Sequence, residues 1–436
     1  MNYKHIGSPA QASANKSEYE VSTAYFTICA NNYYAYAKTL QNSLALHEPG
    51  SKFFIFIADA YHAEIAKDAS VIYAENICAS NIDEAKFAYS LIEFSTYLKP
   101  FCFYHLLENC NFKNAVFLDP DVEVFAPLEG VTAAFSNDAS CVLTPHLLKP
   151  LEDDAHPSDT SILNTGTFNL GFAAFSQTDE TWAFLKWWAR HLETNCRVDL
   201  EAGLFVDQKF VEFAPSFIKN LHILRHPGYN VAYWNLANRS VHKTGTEWSV
   251  NGEKLVFFHF SGVMPENKSM LSKHQDRFSP GEFGDAQTLV ENYLKKVEKN
   301  DHSRWSSIPY AYDFFETGAP VPKEMRRGPP LKKETPLSAP NSAYWNAPSE
   351  YVDQAPSQVI TRYMLAVHES RADLKRTFPL SSAVGRSGFS AWFQINYVSH
   401  SYDEQSASKL GVRLQRITRK WLIHLWLAVG RRLKLI

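Results

Sequence analysis

From Val21 onward, short continuous apolar runs of four to seven residues alternate with longer stretches of helical periodicity. Residues 24–30, 53–58, 115–118 and 255–260 read as strands, and 34–46, 61–69, 97–107 and 285–297 as helices. Strands this apolar on both faces belong in a largely parallel sheet covered by helices on either side. The chain therefore reads as α/β, with residues 21–305 forming one such domain. A mixture of 45% hydrophobic and 20% charged residues is that of an ordinary globular protein and excludes wholesale disorder.

The flanks read differently. Residues 1–20 are polar, carry no apolar run of signal-peptide length, and read as a disordered lead-in. Eight prolines fall between Pro320 and Pro356, so residues 306–356 read as an extended linker. Helical spacing returns at Ile360, Tyr363, Val367, Leu374 and Phe378, giving a helical extension over 357–408. Residues 409–436 carry eight basic side chains and no acidic one. There Leu410, Leu414, Ile417, Trp421 and Leu425 recur at helical spacing. A basic amphipathic helix of this kind lies in the headgroup layer of an anionic membrane. A terminal helix docked on the protein's own acidic surface is the alternative.

No stretch reaches the roughly 18 apolar residues of a membrane span. The six scattered cysteines fit neither a disulfide scaffold nor a zinc site and read as reduced core thiols. The expected location is the cytoplasm, free or peripheral on the inner membrane face. A net charge of −3 gives no case for nucleic acid as a partner.

The sharpest chemical signal is Val116-Phe117-Leu118-Asp119-Pro120-Asp121. An apolar strand runs straight into two carboxylates spaced i, i+2, which leave an extended chain on the same face. Pro120 holds Asp119 out of the helical region. Ligands bind α/β folds beyond the carboxyl edge of the sheet, and such a pair there suits a hard divalent cation bridging a diphosphate. An Asp-Pro turn is the plain alternative. His259, in Phe257-Phe258-His259-Phe260-Ser261-Gly262, ends another apolar run and offers an imidazole to Mn²⁺-like ions. Alone it would be a core histidine. Asn169 lies in a Gly-containing stretch able to read sugar hydroxyls, or in a simple turn. Asp207-Gln208 places a carboxylate and an amide at a sheet edge or helix start.

Taken in order, these segments resemble the nucleotide-sugar glycosyltransferases of the GT-A fold, most closely the retaining family 8 type. Thr27-Ile28-Cys29-Ala30-Asn31-Asn32-Tyr33 resembles the nucleotide-binding turn after that family's first strand. Asp119 and Asp121 match its D-x-D motif, Asn169-Leu170-Gly171 its N-x-G stretch, Asp207-Gln208 its D-Q pair, and His259 with Gly262 its closing H-x-x-G. The likeness covers roughly residues 24–265.

It implies transfer from a UDP-sugar to a glycan or lipid-linked acceptor in surface polysaccharide synthesis, with retention of configuration. Asp121 and His259 would ligate Mn²⁺ or Mg²⁺, with Asp119 ligating it or contacting the ribose. Thr27, Ala30, Asn31, Asn32 and Tyr33 would hold base and ribose. Lys99 would reach the donor phosphates or sugar. Asp207 or Gln208 would steady a short-lived oxocarbenium ion while the leaving phosphate deprotonates the acceptor.

Two departures stand out. The family's closing motif continues to K-P-W soon after its glycine. Here the next basic residue after Gly262 is Lys268, which is either the phosphate clamp or leaves that role unfilled. The first turn also carries Asn31-Asn32 in place of an acidic residue. A sugar-1-phosphate nucleotidyltransferase would want a Gly-rich loop after the first strand, but residues 28–40 contain no glycine. A non-catalytic membrane-docking scaffold keeping the fold is the remaining alternative, and intact Asp119, Asp121 and His259 argue against it. The loop with Glu152, Asp153, Asp154 and His156 reads as solvated or as shaping an acceptor site.

Overall fold

A computed structural model describes residues 23–77, 79, 81–314, 320–321, 323–326, 345, 347–351 and 359–397. They fall into two compact units. The first holds the described residues up to Ile82 together with Leu91–Tyr310, and the second Asp83–Ser90 with the described part of Ala311–Ile436.

Strands β1 (Thr23–Cys29), β2 (Lys52–Ile57), β3 (Val71–Tyr73), β4 (Asn114–Leu118) and β5 (Val122–Val124) open the first unit. β6 (Cys141–Pro145), β7 (Phe168–Ser176), β8 (Val198–Asp199), β9 (Leu204–Phe205) and β10 (Leu221–Ile223) follow. β11 (Val241–Thr244), β12 (Glu247–Val250), β13 (Glu253–Lys254) and β14 (Phe257–His259) complete the set. Seven of them form the central sheet in the order β10-β6-β7-β4-β1-β2-β3. β1 runs parallel to β2 and β4, β2 to β3, and β10 to β6. β7 alone runs against its neighbours β4 and β6.

Both faces of this sheet are covered, which is why its strands are continuously apolar. On one face Phe26 meets Phe56, Phe103 and Phe117 at ring separations of 5.6, 4.8 and 5.2 Å. Phe175 adds contacts to Phe103 and Trp188. Cys29, Ile55 and Ile57 belong to a second buried cluster with Tyr36, Phe258 and Tyr293. Tyr25, Val116, Leu118 and Phe172 pack with Leu40 and Leu44 of the helix Tyr34–His47 in a third. Each fully buried Phe or Leu contributes about 2 kcal/mol relative to exposure.

The expected helix over 61–69 is not formed. That stretch holds the 3-10 turn Ile65–Lys67 and leads into β3. Asp68 stops the helix by gathering donors: Tyr34 Oη (2.6 Å), Lys38 Nζ (2.7 Å), and the Ser70 amide and hydroxyl (2.9 and 2.6 Å). Burial disfavours the ionised carboxyl, but the bonds from Lys38, Ser70 and Tyr34 outweigh it and hold Asp68 well below the usual carboxylate range. A depressed carboxyl contributes its stability above the unfolded-state pKa of about 3.9 and loses it as pH falls through the folded value. Asp68→Asn is therefore expected to cost about 2 kcal/mol at neutral pH. In urea melts, the gap to wild type should narrow below pH ~4; a pH-independent gap would contradict this role. The single helix expected over 97–107 is likewise divided, into Leu91–Tyr97, Lys99–Tyr104 and a π-helical turn His105–Asn109.

In the second unit, the predicted helical spacing appears as Arg362–Ser370 and Ala372–Thr377, followed by Ala383–Tyr397. Ile360, Tyr363, Val367, Leu374 and Phe378 face one core with Phe87, Trp345 and Phe389. Arg326 donates to the carbonyls of Phe87 and Tyr89. The lead-in 1–20 and the basic helix 409–436 lie outside the described residues. Among the described residues no helix is long and apolar enough to cross a membrane. Cys29, Cys102, Cys110, Cys141 and Cys196 are free thiols.

Candidate active site

The two carboxylates and the imidazole meet because of one short antiparallel pair. After β4 the chain turns through Asp119-Pro120-Asp121 into β5, and β5 pairs with β14 so that Val122 faces His259. The Phe260 amide donates to the Asp121 carbonyl (2.8 Å) and the His259 amide to the Val231 carbonyl (2.8 Å), fixing the register. His259 Nε2 then lies 3.1 Å from Asp121 Oδ1 and 3.6 Å from Asp119 Oδ2. One donor atom from each of the three side chains lies within 4.8 Å of the others. The imidazole is buried and the carboxylates are partly open. Burial alone would lower His259's pKa, but the Asp121 and Asp119 carboxylates more than offset it, and the net shift is upward. Desolvation raises Asp119, against the pull of Lys99 and His259. Two carboxylate oxygens and one imidazole nitrogen make a donor set that fits Mn²⁺ or Mg²⁺.

β7 enters the site because it runs antiparallel: its first residues lie at the edge where β4 ends. The Asp119 amide donates to the Gly171 carbonyl (2.9 Å). Asn169-Leu170-Gly171 is thus strand, where a turn was the alternative reading. A Cβ on Gly171 would lie 2.3 Å from His259 Cε1 and 2.4 Å from Nδ1, so glycine is what seats the ring. Trp234 borders His259 edge-on at 5.2 Å. Behind the ring, Asn169 Oδ1 accepts from the Gly171 amide and from Asn230 Nδ2, both at 3.0 Å. Asn169 Nδ2 lies 3.1 Å from His146 Nε2. Burial lowers His146 to about 4, so it is neutral and accepts that bond.

Lys99, Asp207 and Gln208 form a second buried group against β7. Lys99 Nζ lies 2.7 Å from Asp207 Oδ2, donates to the Leu170 carbonyl (2.9 Å), and sits 4.3 Å from the centre of the Phe117 ring. Lys99 and Asp207 side chains are 3% and 2% exposed. The Lys99 ammonium is therefore committed within the protein, where its charge still reaches Asp119. Gln208 is used at both ends, Oε1 by the Leu170 amide (3.0 Å) and Nε2 by the Thr165 carbonyl (2.9 Å).

At the end of β1, Asn31 Nδ2 donates to the Ala60 carbonyl (2.9 Å) and the Asn31 amide to Asp59 Oδ2 (3.2 Å). A carbonyl partner fixes the amide's orientation, leaving Oδ1 as an acceptor. Asn31 Oδ1, Asn32 Oδ1 and Thr27 Oγ1 are buried without a hydrogen-bond partner. Ala30 is buried. Tyr33, 41% exposed, stacks on Tyr36 (4.7 Å) and is close enough to Asp121 to feel its charge. Sequence reasoning missed Asp59, a buried carboxylate at the end of β2. Its signal was available: like Asp119, it follows an apolar run directly.

Gly262 adopts φ +72°, and a Cβ there would lie 2.4 Å from Ser272 Oγ and 2.5 Å from His274 Cδ2. The loop after it folds back, with the Lys273 amide donating to the Gly262 carbonyl (2.9 Å). Lys268 is exposed, and its carbonyl accepts from Gln287 Nε2 (3.1 Å). Lys273 and His274, not singled out in the sequence, are the basic pair returned to Gly262. Burial, with Lys273 and His156 nearby, lowers His274's pKa, against the opposing charge of Asp121.

No protein-family model matches the chain. It is 28% identical over 181 residues to the uncharacterized protein YfnD of Bacillus subtilis (strain 168), over 39% of this chain and 53% of YfnD. The chain thus spans about half the length of that curated relative. Among solved structures it is similar to the galactosyltransferase LgtC in complex with donor and acceptor sugar analogues. That likeness has 15% identity and a TM-score of 0.40, over 63% of this chain and 95% of LgtC. It is also similar to the glycosyltransferase GlyE of Streptococcus pneumoniae TIGR4, at 13% identity and a TM-score of 0.38, over 68% and 67% of the two chains.

Proposed function

We propose that this chain is a GT-A-type glycosyltransferase. It moves a sugar from a UDP-sugar to a glycan or lipid-linked acceptor in surface polysaccharide synthesis, with retention at the anomeric carbon. The observation that carries the reading is the convergence of Asp119, Asp121 and His259 beyond the carboxyl edge of the sheet, where α/β folds bind nucleotides. Asp121 and His259 would hold Mn²⁺ or Mg²⁺, with Asp119 ligating it or meeting the ribose. When bound, such a cation supplies Lewis acidity to the departing diphosphate.

The chain's own residues supply the rest. Thr27, Ala30, Asn31, Asn32 and Tyr33, at and after the end of β1, would hold the base and ribose. Asn169 is placed to fix the His259 seat. Asp207, paired with Lys99, or Gln208, bonded at both ends to the backbone, would steady a short-lived oxocarbenium ion. The leaving phosphate takes the acceptor's proton. Lys273 and His274 take the phosphate-binding place expected of Lys268.

UDP-hexoses incubated with the protein and Mn²⁺ should be hydrolysed slowly without acceptor, in a reaction that stops with chelator. No UDP release from any donor, with no thermal shift from UDP plus Mn²⁺, would leave the scaffold alternative standing. We also place attachment to an anionic membrane surface in residues 409–436, on their sequence. Deleting them should release the protein from anionic vesicles and spare donor hydrolysis. A truncated protein that still pellets with vesicles would sink this assignment.

A further inference from the structure

Two loops flank the candidate site, residues 149–157 after β6 and 262–278 after β14, and Arg277 clasps them together. Its Nε donates to both Asp153 oxygens (3.1 and 2.9 Å) and its Nη2 to Asp153 Oδ1 (2.7 Å). Nη2 also donates to the carbonyls of Ala155 and Pro157, each at 3.0 Å. A second tie runs beside it: the His156 amide donates to Asp276 Oδ1 (2.6 Å), and the Asp276 amide to the His156 carbonyl (3.1 Å). The Arg277 side chain is 7% exposed. A planar fork that serves one carboxylate and two carbonyls at once has no equivalent in lysine.

The clasp determines what faces the site. Asp153 is consumed by Arg277 and Asp276 by the His156 backbone. Among the described residues, neither Lys273 nor His274 has a carboxylate within salt-bridge distance. The charged groups that act on His274 are Lys273 and His156, which with burial lower its pKa, and Asp121, which opposes them. The His274 ring packed at Gly262 lies close enough to Asp121 to feel its charge and brings an imidazole N–H, with Lys273 next to it in the chain, beside the acidic pair, a place where an anion could be met.

We propose that Arg277 is a positioning residue. By pinning the loop 149–157 to the loop 262–278, it holds Lys273 and His274 where the donor's diphosphate lies, opposite Asp119, Asp121 and His259. This rests on the sugar-transfer reading above. The test is calorimetric titration of the full chain with UDP in saturating Mn²⁺, alongside Mn²⁺ alone. Arg277→Lys and Asp153→Asn should each weaken UDP about tenfold and leave Mn²⁺ alone within about twofold. The double variant should be no weaker than either single one, because both remove the same contact. UDP affinity unchanged in both single variants overturns the proposal, as does a parallel loss of Mn²⁺ affinity or two losses that multiply. Asp153 is exposed, so Asp153→Asn carries the test if Arg277→Lys does not fold. A wild-type protein that binds no UDP with Mn²⁺ instead brings down the underlying reading, and the clasp with it.

Discussion

Asp121→Ala or His259→Ala should lower UDP-sugar turnover about 10³-fold, equivalent to about 4 kcal/mol of lost transition-state stabilisation. Each removes one of three donor atoms that converge within 4.8 Å. Either variant also leaves a charge imbalance: His259→Ala strips two neighbouring carboxylates of their imidazole, and Asp121→Ala removes His259's nearest acceptor at 3.1 Å. His259 ends β14 and Asp121 lies in the turn just before β5, and these two strands are paired by backbone bonds, so the fold should survive either change. The measurement is steady-state UDP release with Mn²⁺ varied, and circular dichroism as the folding control. Turnover within about threefold of wild type in either variant would remove the metal assignment.

Gly171→Ala should weaken Mn²⁺ binding by about 10- to 100-fold, as supporting residues behind metal ligands commonly do. An added methyl at 2.3 Å from His259 Cε1 and 2.8 Å from Asn169 Oδ1 cannot be absorbed in place. The ring is hemmed on another side by Trp234 at 5.2 Å, so it must swing or the strand must shift. Overpacking of this kind costs about 1–3 kcal/mol of stability as well. Mn²⁺ titration followed by electron paramagnetic resonance separates the two effects, because affinity is read on the folded fraction. An affinity within about twofold of wild type would show that glycine at 171 has no part in seating the imidazole.

The acidic pair was legible because an apolar run leads straight into it, and His259 because it ends another. What joins them was not legible. β5 and β14 are three residues each and lie far apart in sequence, and pairing at such distance leaves no local signature. The glycine inside Asn169-Leu170-Gly171 suggested a turn, yet the segment opens a nine-residue strand buried throughout. A glycine within a strand instead marks close approach by another group, here the His259 ring.

The parallel sheet was readable from its apolar runs, while the single antiparallel strand that brings Asn169 to the working edge was not. Residues 61–69 have helical spacing, but Asp68 gathers donors from a distant helix, and tertiary contacts override local preference. Lys268 was the nearest basic residue in sequence. The positive φ at Gly262 turns the chain back and brings the Lys273 amide and the His274 ring beside it.

The most direct check is a crystal of the full chain soaked with UDP and Mn²⁺, with data collected at the manganese absorption edge. The account predicts one anomalous peak about 2.0–2.3 Å from an oxygen of Asp121 and from Nε2 of His259, with the diphosphate on its open side. A peak elsewhere, or His259 turned away from both carboxylates with nucleotide bound, would contradict it.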